Sequence, residues 1–311
     1  MECQAFYRGM VVMMEACRVA TERGTVLDGV LFRTEQGSGT LVIAITGIHG
    51  NFYSNPFYYN IGNTLNQGGI DFLYAQTNDA FDRIQTDNVL TGQKELIGSW
   101  NERFAYTDED IDAYLDFAEH AGYSQIILAG HSLGANKVIR YLSRHHDSRV
   151  AHFLLLSPAN LNYMMSVVTE REKSWIKNQV EQGYGGEMLP FPFMGWVACI
   201  AYTAWDWLFS GILNNVFTES EGDFTQCRQI THTGALLIGT YDTFTDGNPT
   251  GFLQNINDHM PTAAQNRLVF IKGTGHTYQM KHQEVADCIQ QLVLDWQKKK
   301  GTCGSTGSPV A

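Results

Sequence analysis

The sequence predicts an α/β domain: a mostly parallel β-sheet with helices on both faces, interrupted once by a helical insertion. Three observations carry this. Short, continuously apolar runs without alternation recur along the chain, as in strands buried on both faces. They alternate with amphipathic helical stretches, a rhythm that produces parallel sheets. The rhythm lapses over residues 159–233, where no strand pattern appears, and then resumes.

Residues 11–21 and 26–34 are β-rich and separated by Glu22, Arg23, Gly24 and Thr25, which reads as a hairpin. Gly37, Ser38 and Gly39 turn the chain into a buried strand at 41–45, and 70–75 is a weaker strand. Thr107 opens a helix, with Asp110 three residues on in a capping-box-like arrangement. Ile111, Tyr114, Leu115 and Ala118 line one face, and Gly122 stops it. A strand at 125–129, a helix at 135–144 and a strand at 152–156 follow, the last ended by Ser157-Pro158. After the insertion come short strands at 235–238 and 267–271 and a final amphipathic helix at 284–297. Lys298, Lys299 and Lys300 suit a helix C-terminus, where cations favour the dipole. The Gly-, Ser- and Thr-rich stretch 301–311 reads as a frayed tail.

The bulk numbers narrow the function classes. With 44% hydrophobic and 17% charged residues, the chain of 311 residues has ordinary globular composition. A formal charge of −11 repels phosphate backbones, so no nucleic-acid partner is expected. The scattered cysteines, Cys3, Cys17, Cys199, Cys227, Cys288 and Cys303, form no C-x-x-C pair and read as reduced packing residues. The start of the chain lacks a charged segment followed by a long apolar core, so the expected location is the cytoplasm. Residues 193–213 are apolar enough to raise a membrane span, but Asp206 interrupts them and Pro190 and Pro192 precede them. A lid over an active site is the better reading, without stable membrane insertion.

The chemistry-bearing motif is Gly130-His131-Ser132-Leu133-Gly134, a G-x-S-x-G between a buried strand and a helix. Its glycines let strand and helix pass closely, and the turn lifts Ser132 to a helix N-terminus, where free N–H groups favour negative charge. A serine hydroxyl needs a base to become a nucleophile. His276, in Gly275-His276 after the strand 267–271, is best placed among the ten histidines; His259 and His282 follow. The base needs a carboxylate to orient it. Asp242, just past a strand end in Gly239-Thr240-Tyr241-Asp242, is favoured over Asp246, and over Asp206, Asp223 and Asp258. An oxyanion hole needs two backbone N–H groups. Leu133 supplies one. The loop Thr46-Gly47-Ile48-His49-Gly50-Asn51 supplies the other, with Asn51 as the expected donor and His49 as a brace.

The His49-Gly50 loop, the Gly130–Gly134 turn, the Gly239-x-x-Asp242 turn and the Gly275-His276 pair occur in the order of the α/β-hydrolase superfamily, which the chain resembles over residues 25–297. The segment around Ser132, with Asn136-Lys137, is similar to the branch of serine-aminopeptidase-like lipases and siderophore-esterase-like proteins. The resemblance implies an eight-stranded, mainly parallel sheet with a helical cap inserted after the sixth strand. It divides the chain into core (1–158), cap (159–233), core (234–300) and tail (301–311). It implies a serine hydrolase that cleaves a carboxylic ester or thioester through Ser132, His276 and Asp242 by way of an acyl-enzyme, with no cofactor and no metal. The cap aromatics Trp196, Trp205 and Trp207, with His49, are the expected substrate contacts. They suggest a small acyl substrate with an apolar or aromatic part. The same residues serve an acyltransferase, a carbon–carbon bond hydrolase or a peptidase, and a non-catalytic binding protein on this fold is the further alternative.

Overall fold

The computed structural model describes residues 13–303, with side chains to Lys298. Cys3 and the tail beyond 303 lie outside the described residues. The first two strands, β1 (Met13–Ala20) and β2 (Val26–Arg33), form the expected hairpin, with Ala20 opposite Val26. The remaining strands of the main sheet are β3 (Thr40–Ile45), β4 (Asp71–Ala75), β7 (Gln125–His131), β8 (Val150–Leu156), β9 (Gly234–Gly239) and β10 (Arg267–Ile271). A separate two-stranded ribbon, β5 (Ile84–Asn88) and β6 (Gln93–Ile97), stands between β4 and β7 in the chain. The eight strands lie in the order β1-β2-β4-β3-β7-β8-β9-β10. Only the β1/β2 and β2/β4 pairings are antiparallel.

Side-chain alternation splits the core into two layers. Leu41, Ile43 and Ile45 of β3 face one layer, where α2 (Thr107–His120), α3 (Leu133–His145) and α8 (Pro249–Asp258) contribute Ile111, Leu115, Val138, Leu142, Phe252 and Ile256. Val42 and Ala44 face the other, covered by α1 (Phe57–Gln67) and α9 (His282–Cys303) through Phe57, Ile61, Leu65, Val285, Ile289 and Val293. Because β3, β7, β8 and β9 are covered on both sides, they had to be apolar throughout, which made them readable as runs. Helix α9 continues through Gly301 to Cys303, beyond the point where the sequence places the tail.

The segment between β8 and β9 follows the sixth strand of the main sheet. It carries α4 (Leu161–Met165), α5 (Glu170–Glu181), α6 (Ala201–Phe209) and α7 (Thr225–Gln229). A third apolar cluster joins Ile176, Phe193, Val197, Ala204, Trp207 and Leu213 of this segment to Phe104 and Leu133 of the sheet domain. The apolar stretch 193–213 contains only the nine-residue α6, and no helix among the described residues is long and apolar enough to cross a membrane.

Two local expectations give way. Thr107 and Asp110 form no capping box: Asp110 instead accepts from Arg23 Nη2 at 2.7 Å and from the Asn78 N–H at 3.0 Å, and α2 is entered through a 3-10 turn. The box the chain does build is at α5, where Thr169 and Glu172 satisfy each other's backbone N–H groups.

Candidate active site

Ser132 follows β7 directly and holds φ 56°, ψ −128°, a conformation few non-glycine residues adopt. The close passage of the surrounding backbone explains the glycines: a Cβ on Gly134 would sit 2.2 Å from the Ile45 carbonyl oxygen. His49, Ser157 and Tyr278 share positive φ values of 57°, 42° and 55°. All lie in turns after the C-terminal ends of sheet strands, and strain of this kind concentrates where function requires a fixed geometry.

Asp242 lies past the end of β9 and His276 past the end of β10, on the same sheet edge as Ser132. His276 Nδ1 is 2.9 Å from Asp242 Oδ2, whose side chain is fully buried. Burial alone would raise the Asp242 pKa. The hydrogen bond and charge of His276, with the Phe244 N–H and the Ser157 hydroxyl, outweigh it and hold the carboxyl below its ordinary value. No hydrogen bond or ion pair joins Asp246 to His276, whose carboxylate partner is Asp242. Asp206 pairs with Arg103 at 3.2 Å, Asp223 accepts from the Thr225 N–H, and Asp258 accepts from Gln254. His259 stacks on Phe224 at 3.9 Å, just past the end of α8, and His282 opens α9.

His131 is a site residue the sequence reading passed over. Its buried ring bonds through Nε2 to the His276 carbonyl oxygen at 2.8 Å. Burial, then the proximity of His276, depress its pKa to about 3, so the ring is neutral and Nε2–H donates. The residue beside Ser132 thereby anchors the backbone of His276. Phe244, also unforeseen, packs edge-on against the His276 ring at 4.6 Å. The Ser132 hydroxyl and His276 Nε2 have no hydrogen-bond partner among the described residues, so the two are not bonded to each other; the hydrogen bond of the His276 ring is the one from Nδ1 to Asp242.

The loop after β3 holds the Asn51 amide in a turn of its own. Asn51 donates its backbone N–H to Ser54 Oγ at 2.9 Å, and its side chain is tied to the His49 carbonyl and the Tyr53 N–H. That amide is spent within its own turn. The N–H groups of His49 and Gly50 are likewise given, to the Asp79 and Gly47 carbonyls. Ile48 N–H is left without a partner among the described residues. Gly47, its neighbour, passes so close that a Cβ there would lie 2.9 Å from Ser132 Cβ and 3.3 Å from Leu133 N.

The three tryptophans expected to meet substrate separate. Trp207 is buried between Phe104 and Phe193, at 5.4 and 6.3 Å, and belongs to the interior of the inserted segment. Trp205 packs on Tyr202 and Phe209, within its own helix. Trp196 alone reaches the loop after β3: its ring meets His49 edge-on at 5.2 Å and stays half exposed. The sequence could not separate them, since aromatic character says nothing about which way a ring faces. No group of side chains among the described residues is arranged to hold a metal ion.

A mainly parallel eight-stranded sheet, with a serine on a strained strand-to-helix turn and an Asp–His pair on the same edge, defines an α/β-hydrolase fold. The chain belongs to the alpha/beta hydrolase family, whose model matches residues 48–288. Among solved structures it is similar to Est1E from Butyrivibrio proteoclasticus with ferulic acid bound (16% identity, TM-score 0.63, covering 91% of this chain and 100% of that one). It is also similar to the alpha/beta hydrolase GrgF from Penicillium sp. sh18 (17% identity, TM-score 0.64, 93% and 99% covered) and to a monoacylglycerol lipase from Paleococcus ferrophilus (14% identity, TM-score 0.59, 91% and 99% covered). At these identities the likeness is one of fold. No curated protein matches the chain.

Proposed function

We propose that the protein is a serine hydrolase acting on carboxylic esters or thioesters, with Ser132 as nucleophile, His276 as general base and Asp242 as the orienting acid. The observation that carries the reading is the 2.9 Å His276–Asp242 bond on the sheet edge where Ser132 is held at φ 56°. His276 Nε2 takes the hydroxyl proton as Ser132 Oγ attacks the substrate carbonyl, and the imidazolium faces an ionised Asp242. The Leu133 and Ile48 amides receive the oxyanion, Ile48 replacing Asn51 because its N–H is free and its neighbour Gly47 lies against Ser132. The protonated His276 passes its proton to the leaving group, and water, deprotonated by the same ring, releases the acyl group. Residues 159–233 act as a cap, and Trp196, Ile48 and Phe244 give the site an apolar or aromatic acyl preference. The esterase and lipase names among the structures of like fold support the same reading.

Replacement of Ser132 by Ala tests the nucleophile. Covalent labelling by a fluorophosphonate and turnover of p-nitrophenyl esters should both disappear while the far-UV circular dichroism stays native. Labelling that persists on the alanine variant would place the nucleophile elsewhere.

A further inference from the structure

Five residues after Ser132, helix α3 carries a lysine that is almost entirely out of water. Lys137 Nζ lies 2.8 Å from Asp79 Oδ1 and 2.8 Å from Glu102 Oε1, with side-chain exposures of 3%, 0% and 2% for the three. Thr77 completes the group, bonded to Asp79 Oδ1 at 2.7 Å and to Lys137 at 3.2 Å. Each member belongs to a different part of the site. Lys137 rides on the helix that begins at Ser132. The Asp79 carbonyl accepts the His49 N–H at 2.9 Å, which holds the loop carrying Ile48. Glu102 belongs to the stretch that docks the inserted segment: its carbonyl accepts from Thr203 Oγ1, the Trp100 carbonyl accepts the Ile200 N–H, and Arg103 and the Phe104 N–H both bind Asp206 of α6.

The charges do not balance as drawn. One ammonium and two carboxylates leave a net charge of −1 in a dry interior, which is costly. Two oxygens, Asp79 Oδ2 and Glu102 Oε2, are buried with no hydrogen-bond partner among the described residues. A single proton on the carboxyl pair makes the cluster neutral and supplies a donor. We propose that Lys137, Asp79 and Glu102 are positioning residues which, with one retained proton, clamp the Ile48 loop and the inserted segment onto the helix behind Ser132.

Burial first, then the charge of Asp79, raise Glu102 from its ordinary 4.5 to about 8, and Lys137 lowers it only in part. Lys137 stays charged because its two carboxylates outweigh its burial. The other charged groups facing the cluster are already paired: Asp110 with Arg23 on the α2 side, and Asp206 with Arg103 on the α6 side. Cys199 is a further titratable neighbour, its thiol pushed up to about 12 by burial. Glu102 is therefore the group that gives up its proton to solvent as the medium becomes alkaline, leaving an uncompensated buried charge at the joint.

The positioning role rests on the hydrolase reading above; the proton does not, and the two are measured separately. In the native protein with 13C-labelled glutamate carboxyls, infrared spectra should show a protonated glutamate band at pH 7 that falls to half near pH 8 and is gone by about pH 10. Full ionisation of every glutamate by about pH 6 overturns the proposal. Glu102→Gln mimics the protonated form. Stability then has a definite sign: the native fold binds a proton that the unfolded chain releases, so native stability falls relative to the variant as pH rises from 4.5 to about 8 and is level above. The native unfolding constant should rise about tenfold per pH unit against the variant in that window. A constant ratio overturns the proposal. In ester turnover, native kcat should fall roughly fivefold between about pH 7 and 9, while the Gln variant keeps kcat at pH 7 within about threefold and loses the alkaline limb. An unchanged alkaline limb in the variant overturns the positioning role, even where the infrared band is found.

Discussion

Asp242 gives up its water on folding and remains an anion, because each of the groups around it was placed to replace that water: the His276 ring, the Phe244 N–H and the Ser157 hydroxyl. An asparagine there keeps the shape but can donate to Nδ1, which turns the His276 ring to the tautomer with its proton on Nε2. That nitrogen then cannot accept the Ser132 proton. Asp242→Asn should lower kcat about 10⁴-fold with little change in KM or thermal stability; a loss below about tenfold would move the acid to another carboxylate. The pairing of Asp242 with His276 was legible in the sequence because a glycine, a turn and an acid followed an apolar strand, and chain order selected it. The Ile48 amide, proposed as the second oxyanion donor, was not legible. Which N–H in a loop is left free depends on its hydrogen bonds, and the isoleucine that offers it carries no chemical signature. Asn51 looked suited by residue type, but its N–H is donated to Ser54 Oγ. Trp207 was misplaced for a related reason: composition names the ring, whereas packing decides whether it faces substrate or core.

The elements read best were those whose surroundings left least choice. β3, β7, β8 and β9 lie between two helical layers, so their apolar runs needed no alternation to be recognised. β5 and β6 form an isolated ribbon with few apolar residues, Ile84–Asn88 and Gln93–Ile97, and gave no periodic signal. α1 escaped because Asn60, Gly62, Asn63 and Asn66 dilute its helical character, although Phe57, Ile61 and Leu65 mark one buried face. α8 carried a start signal that was readable: Asn248 caps the Gly251 N–H, and Pro249 occupies the first helical position. Thr107 and Asp110 show the converse, a spacing that matched a cap in a residue the fold uses to bind Arg23. The box at Thr169 and Glu172 stands on an exposed helix start, so its removal should be felt locally. Thr169→Ala should cost about 1 kcal/mol in urea unfolding and leave kcat/KM for esters unchanged. A drop in kcat/KM greater than about threefold would tie α5 directly to the site.

At the scale of the whole molecule, the sheet domain and the inserted segment share one apolar cluster through Phe104 and Leu133, and Leu133 directly follows Ser132. The segment is thus fastened beside Ser132 through its interior, while Trp196 and Phe209 keep part of their surface in water. Trp196 occupies the boundary. It touches the loop after β3 through His49 and keeps half its surface in water, so its removal costs the fold little. Its apolar surface becomes useful only when an acyl group covers it, and the benefit should grow with the length or aromaticity of that group. A ring shielding one side of an acyl chain contributes on the order of 1–2 kcal/mol, a factor of roughly ten in discrimination. Trp196→Ala should therefore raise KM about tenfold for octanoyl or aryl p-nitrophenyl esters, leave the acetyl ester within about twofold, and shift the melting temperature by only a few degrees. Chain-length profiles that move in parallel for native and variant would show that the ring braces His49 without meeting the substrate. Equal KM values for every ester in both proteins would place acyl recognition on another part of the inserted segment.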